Sequence, residues 1–171
     1  LVDPDKLELY AKAFVCEDLD DMDGIITYKN TRIAMLGVPS VGHVTTKQMD
    51  YVFKVLDVDE NTAVTFRMFS VINALCERVT KMDQFCRDLL EISNLIDIER
   101  KLALYRAMFY CNSSSERDAN FIKLEALKIE LMAGGLNWSQ QQFILSKIIP
   151  NDFFEISFLD YLCYIPLFLS F

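Results

Sequence analysis

The chain has 171 residues, 52% of them hydrophobic, and carries 17 Lys plus Arg against 25 Asp plus Glu, a net charge of −8. That apolar content supports a full core and excludes a disordered chain. The acidic balance argues against nucleic acid or an anionic membrane surface as partner, and the length suits one domain or two small lobes.

Helical periodicity runs from end to end. Asp3 and Pro4 open "PDKLELYAKAFV", with Leu7, Tyr10, Ala11 and Phe14 on one face. An acidic turn with Gly24 follows, then "IITY" and "TRIAML" up to a break at Gly37–Pro39. Thr45-x-x-Gln48 forms a capping box for a helix that reaches Leu56 with Met49, Val52, Phe53 and Leu56 inward. After the turn "DVDENTAVT" comes "FRMFSVINALCERV", again amphipathic. Residues 80–94 predict an additional linking helix, and 96–111 another long one. "NSSSERDAN" is a loop, "IKLEALKIELMAGG" a helix stopped by Gly134-Gly135, and "NWSQQQFILSKII" a helix with Trp138 packed at its start. "PNDFFE" is a turn that folds by packing Phe153 or Phe154, and "ISFLDYLCYIPLF" a last helix. Extended segments of two or three residues are the most strand this pattern allows. The run "YLCYIPLFLSF" is too short for a membrane span and contains Pro166. The chain opens "LVDPDK" without a Met and stops inside "IPLFLSF", and so reads as a piece of a longer protein.

The five cysteines are scattered, never CxxC, and lie in apolar contexts that read as small core residues in a reducing cytosol. With His43 as the single histidine, in the linker "SVGHVTT", a zinc site is not expected. No nucleophile arrangement stands out, and "AGGLNW" lacks the spacing and lysine of a phosphate-cradling loop.

One pattern repeats. In each helix–loop–helix unit an aliphatic residue follows the polar turn and precedes the next helix: Ile26, Val64, Ile122 and Ile156. Tyr28, Phe66 and Phe158 stand two positions beyond three of them. This framework resembles the EF-hand superfamily across nearly the whole chain, as four hands at about 5–37, 45–79, 96–134 and 137–169. The resemblance implies an all-α fold of two pairs of EF-hand units, calmodulin-like lobes, divided as 1–79, a linking helix at 80–95, and 96–171. It also implies that Ile26, Val64, Ile122 and Ile156 pair in short antiparallel ladders between neighbouring loops.

The family's calcium loop takes ligands from positions 1, 3, 5, 7, 9 and 12, with glycine at 6. The second loop keeps Asp57, Asp59 and Asn61, with the Ala63 carbonyl and Thr65 to follow. Met68 replaces the bidentate glutamate with a soft thioether, and Thr62 replaces the glycine, which predicts backbone strain there. The first loop keeps Gly24 with Asp21 and Asp23. One extra residue makes Asp18 its first ligand, and Asn30 falls at position 12. In the third loop a register ending at Glu125 is available, and in the fourth Phe153 stands at ligand position 5 and Phe154 at the glycine position 6.

The expected function is a non-enzymatic interaction or scaffold module. Its loops have mostly lost calcium ligands, no cofactor is required, and Ca2+ binds weakly if at all. Its partner is a helix or peptide held in a hydrophobic groove, or neighbouring subunits of an assembly. The location is cytoplasmic, cytoskeletal or ciliary by family analogy. The alternative is a calcium-responsive regulator with weak sites in hands one and two.

Overall fold

Asp3 and Pro4 start the first helix for reasons carried by their side chains. In the computed structural model, which describes residues 3–18, 23–112 and 121–170, the Asp3 carboxylate accepts from the Asp5 N–H. Pro4 fills a first-turn position where no N–H is needed. Helix α1 (Pro4–Glu17) leads to strand β1 (Ile25–Ile26), α2 (Tyr28–Met35), a 3-10 turn (Pro39–Val41), α3 (Thr46–Val55), β2 (Val64–Thr65) and α4 (Phe66–Thr80). Then come α5 (Gln84–Ile92), α6 (Leu95–Asn112), β3 (Phe121–Lys123), α7 (Leu124–Ala133), α8 (Trp138–Lys147), β4 (Glu155–Ser157), α9 (Phe158–Cys163) and α10 (Ile165–Leu169). The described chain is all-α apart from two antiparallel ladders, β1 with β2 and β3 with β4. No described helix is long and apolar enough to cross a membrane.

The chain divides into two compact units, Leu1–Lys81 and Met82–Phe171. In the first, α1 packs on α2 and α4, while α3 and the 3-10 turn also pack on α4. Helix α4 is covered on several sides, so its buried residues exceed one stripe: Phe69, Ile72, Asn73, Ala74, Leu75, Cys76 and Glu77 are all buried. Phe14 meets Phe66 and Phe69 ring to ring at 5.7 and 5.6 Å. Arg32 ties α2 to α3, bonding Asp50 at 2.7 Å while its guanidinium lies over the Tyr28 and Phe53 rings.

In the second unit α6 packs on α7 and α10, α7 on α8, and α5 on α10. Phe109 centres an aromatic core with Phe158 and Tyr161. Lys147 lies over the touching Phe85 and Phe143 rings and pairs with Asp83, the cap of α5, at 3.4 Å.

Several expectations need correction. The additional helix expected at 80–94 is present as α5, but it starts later, at Gln84 after the Asp83 cap, ends at the Ser93 cap, and belongs to the second unit. The last helix breaks at Tyr164, because Pro166 lacks an N–H for the preceding turn and instead opens α10. On α3, Met49 and Leu56 are only half-buried, and Tyr51 and Val55 take the inward face. Cys16 and Cys111 are exposed, while Cys76, Cys86 and Cys163 are core residues and all five thiols are free. Burial pushes the Cys76 thiol up to about 12 and the Cys86 thiol to about 11. Trp138 starts α8 with 70% of its surface exposed, so it is not a packing residue.

The glycine stop after α7 has a specific geometry. Gly135 adopts φ 87°, the Leu136 N–H reaches the Leu131 carbonyl, and the Gly135 N–H reaches that of Met132. A Cβ at Gly135 would meet no atom within 4 Å. Gly135→Ala is therefore expected to cost the backbone term alone, about 1–2 kcal/mol, read by urea unfolding.

Candidate functional site

The four aliphatic loop residues are where the loops join. Ile26 stands opposite Val64, and Ile122 opposite Ile156. Their exposures are 3%, 0%, 2% and 1%, so each ladder pair is core as well as backbone pairing. The residue after each aliphatic starts a helix. Thr27, Thr65 and Ser157 cap α2, α4 and α9 with their hydroxyls, accepting from the N–H groups of Asn30, Met68 and Asp160. Lys123 begins α7 without a side-chain cap.

This common register fixes the residue three beyond each cap, where a calcium loop carries its bidentate acid. It is Asn30, Met68, Ala126 and Asp160 in turn. Asparagine offers one amide oxygen, methionine a thioether and alanine nothing. The Asp160 carboxylate accepts from the Ser157 hydroxyl at 2.8 Å. Glu125 lies one residue off the register and is exposed, so the reading that ends the third loop at Glu125 does not match this ladder. The rest of that loop, with Ser114, Glu116, Asp118 and Ala119, lies outside the described residues.

The second loop turns differently from expectation. Thr62 has no left-handed backbone; Asp57 does, at φ 58°. The Val58 N–H reaches the Phe53 carbonyl and the Asp57 N–H that of Lys54. Helix α3 thus ends as α7 does, with Asp57 in the glycine's place, which aspartate tolerates better than most residues. Asp59 is occupied by its own loop. Its carboxylate accepts from the Asn61 N–H at 2.8 Å and the Thr62 hydroxyl at 3.1 Å, and its N–H donates to that hydroxyl at 3.0 Å. Thr62 therefore acts as a brace. Ala63 is exposed, and Thr65 spends its hydroxyl on the cap.

The first loop is closer to a cation loop. Gly24 takes φ 77°, and its N–H donates to the Asp18 carboxylate at 2.9 Å. The Asp23 carboxylate accepts from the Ile25 N–H at 3.1 Å. Asp21 lies outside the described residues.

The fourth loop is organised by an amide. Asn151 Oδ1 accepts from the Phe153 and Glu155 N–H groups at 3.0 and 2.9 Å, and the Asn151 N–H donates to the Glu155 carbonyl. Phe153 and Phe154 are 62% and 70% exposed, so the expected packing of one of them does not hold the turn. Asn151→Ala leaves two N–H groups without their acceptor. It is expected to cost about 2 kcal/mol, seen as faster amide exchange in β4.

Two features escaped the sequence. First, an apolar groove of about 240 Å³ lies between the end of α3 and α4, lined by Leu56, Val58, Arg67, Met68, Val71 and Ile72. Second, Glu77 is buried at 5% exposure on α4 and accepts from the Tyr10 hydroxyl at 2.7 Å, the Lys6 ammonium at 2.8 Å and the Ser40 hydroxyl. Burial alone would raise its pKa, but the bonds from Lys6, Ser40 and Tyr10 hold it below the usual carboxylate range. The available signal was an acid following the apolar run Ala74, Leu75 and Cys76 on α4.

As arranged, the donors of the second and fourth loops do not make a calcium shell of 6–8 oxygens. Among the described residues, no group of three or more His, Cys, Asp or Glu side chains stands ready to hold a metal. Comparison with known proteins finds no family model, no curated protein and no solved structure that matches the chain.

Proposed function

We propose that the chain is a non-enzymatic protein-interaction module of the EF-hand kind, built from two pairs of helix–loop–helix units that hold together without calcium. The observation that carries this reading is the shared register of the four loops. Buried aliphatics pair across both ladders, the position three beyond the cap carries no acid in three of the loops, and in the fourth the Asp160 carboxylate accepts from the Ser157 hydroxyl. The loop braces support it as well: Thr62 and Asn151 side chains do for the backbone what an ion does elsewhere. The partner is a helix or peptide whose apolar side chains enter a groove such as the one Met68 lines. A cytoplasmic setting, cytoskeletal or ciliary by analogy with the resembled family, goes with this reading.

A second reading has one specific observation in its favour. Gly24 and Asp18 retain the glycine turn and the carboxylate bond that a cation loop uses. On that reading the first loop binds calcium weakly and the module responds to it.

Melting with about 1 mM calcium, against chelator, separates the two; that concentration saturates all but the weakest loops. No heat of binding and no melting shift are expected. A rise of several degrees that disappears in Asp18→Asn would establish the regulator instead. Two substitutions give an ion-independent contrast. Val64→Ala removes a fully buried ladder residue and is expected to cost about 2 kcal/mol. Asp57→Gly removes a carboxylate at a left-handed position and should leave the melting temperature unchanged or slightly raised.

A further inference from the structure

Phe154 is costly in two independent ways. Its backbone is left-handed at φ 57°, a conformation that bulky residues rarely adopt. Its side chain is 70% exposed. Glycine would remove the strain, and any polar residue would remove the exposed ring. The turn beneath is rigid rather than loose: the Phe154 N–H donates to the Asn151 carbonyl at 3.1 Å, and the Phe154 carbonyl accepts from the Leu124 N–H at 2.9 Å. Ile149 flanks it at 72% exposure. Strain of this kind persists where function uses it, and a rigid aromatic anchor is the residue type that dominates binding energy.

The chain also carries a receptor of matching chemistry. The groove at Leu56, Val58, Met68, Val71 and Ile72 measures about 240 Å³, and a dry cavity of roughly 150 Å³ already holds benzene. Charge complements shape: Asp152 is exposed beside the Phe154 turn, and the exposed Arg67 lines the groove. We propose that the Phe154 turn of one copy enters the Met68 groove of a second copy, with Asp152 meeting Arg67. Knob and groove are different surfaces, so the contact is head-to-tail and extends into rings or filaments. One ring and a few rim charges bind weakly, with a dissociation constant on the order of 0.1–1 mM. The inference rests on the interaction-module reading and names its partner.

Sedimentation equilibrium on the whole chain, from tens of micromolar to about 1 mM, tests it. The average mass is expected to climb above the 19.8 kDa of one chain as concentration rises. Phe154→Gly suits the backbone it replaces, so it should fold at least as well and remain monomeric. Met68→Lys on the groove should do the same. Mixed in equal amounts, these two variants leave one intact knob and one intact groove, and the mass should stop at a dimer. Asp152→Arg and Arg67→Asp should each weaken association at least several-fold and restore it when combined in one chain. A single-chain mass through the whole range overturns the proposal, as does association that Phe154→Gly leaves unchanged; entry of the ring into a lipid bilayer or an unrelated protein would give the first of these results. Neither result touches the interaction-module reading, which falls only to the calcium-dependent melting shift described above.

Discussion

Glu77→Ala is expected to destabilise the first unit by about 3 kcal/mol. The carboxylate joins three separate pieces: Lys6 and Tyr10 from α1, Ser40 from the 3-10 turn, and α4 itself. Removing it leaves the Tyr10 hydroxyl, on a fully buried side chain, without its acceptor. Lys6 is about one-third exposed and recovers water, so its share of the loss is small. Glu77→Gln keeps the shape and one acceptor oxygen and should cost less, about 2 kcal/mol. Calorimetric melting of the two variants beside the parent chain checks the order. Equal stability for Glu77→Ala and the parent would mean that the 3-10 turn and α1 are held by their apolar contacts alone.

The same carboxylate sets an acid limit. Its pKa is lower folded than unfolded, so it contributes stability above the ordinary glutamate value of about 4.3, and that contribution fades as pH falls through the folded value. The stability gap between the parent chain and Glu77→Gln should therefore be full at neutral pH and close in acid. At the other extreme, Tyr164 is raised to about 12, and Tyr10 and Tyr161 further still, all chiefly by burial. A raised phenol favours the folded state only while protonated. Stability is accordingly lost as pH climbs above about 10, where the unfolded tyrosines ionise.

Some of this was legible in the sequence and some was not. The all-α character follows from apolar residues at helical spacing, and Thr45-x-x-Gln48 spelled out its capping box, found with both bonds made. Ile26, Val64, Ile122 and Ile156 stood out because each closes a polar turn and opens a helix, and the strands pair at these residues. The loops resisted because their backbones choose among local braces of similar energy. A rule for the sixth loop position put strain on Thr62, whereas the left-handed residue is Asp57, just past the end of α3, leaving Thr62 free to brace Asp59. Phe153 and Phe154 looked like packing residues, since hydropathy does not report which side of a turn faces solvent. Glu77 needed tertiary knowledge: its hydroxyl and ammonium donors come from residues 37 to 71 positions away.

Phe109→Ala is expected to destabilise the second unit by about 4 kcal/mol, more than any of the loop residues can. The ring is fully buried and lies 5.0 Å from Phe158 and 5.1 Å from Tyr161, edge-on or tilted as aromatic quadrupoles prefer. Its helix depends on it. On α6 the buried residues are Ile98, Leu102 and Phe109, a narrow stripe of which Phe109 is the largest member. For a unit of this size the loss corresponds to a melting decrease of roughly 15–30 °C, and amide exchange in α6 and α9 should accelerate together. Leu104→Ala on the same helix, at 58% exposure, provides the control, with an expected change within about 0.5 kcal/mol. By comparison, an ion present at ten times its dissociation constant adds only about 1.4 kcal/mol. On the interaction-module reading, rings of this kind rather than a cation set the geometry of the helix pairs, and an apolar residue such as Met68 can then stand at the end of a loop.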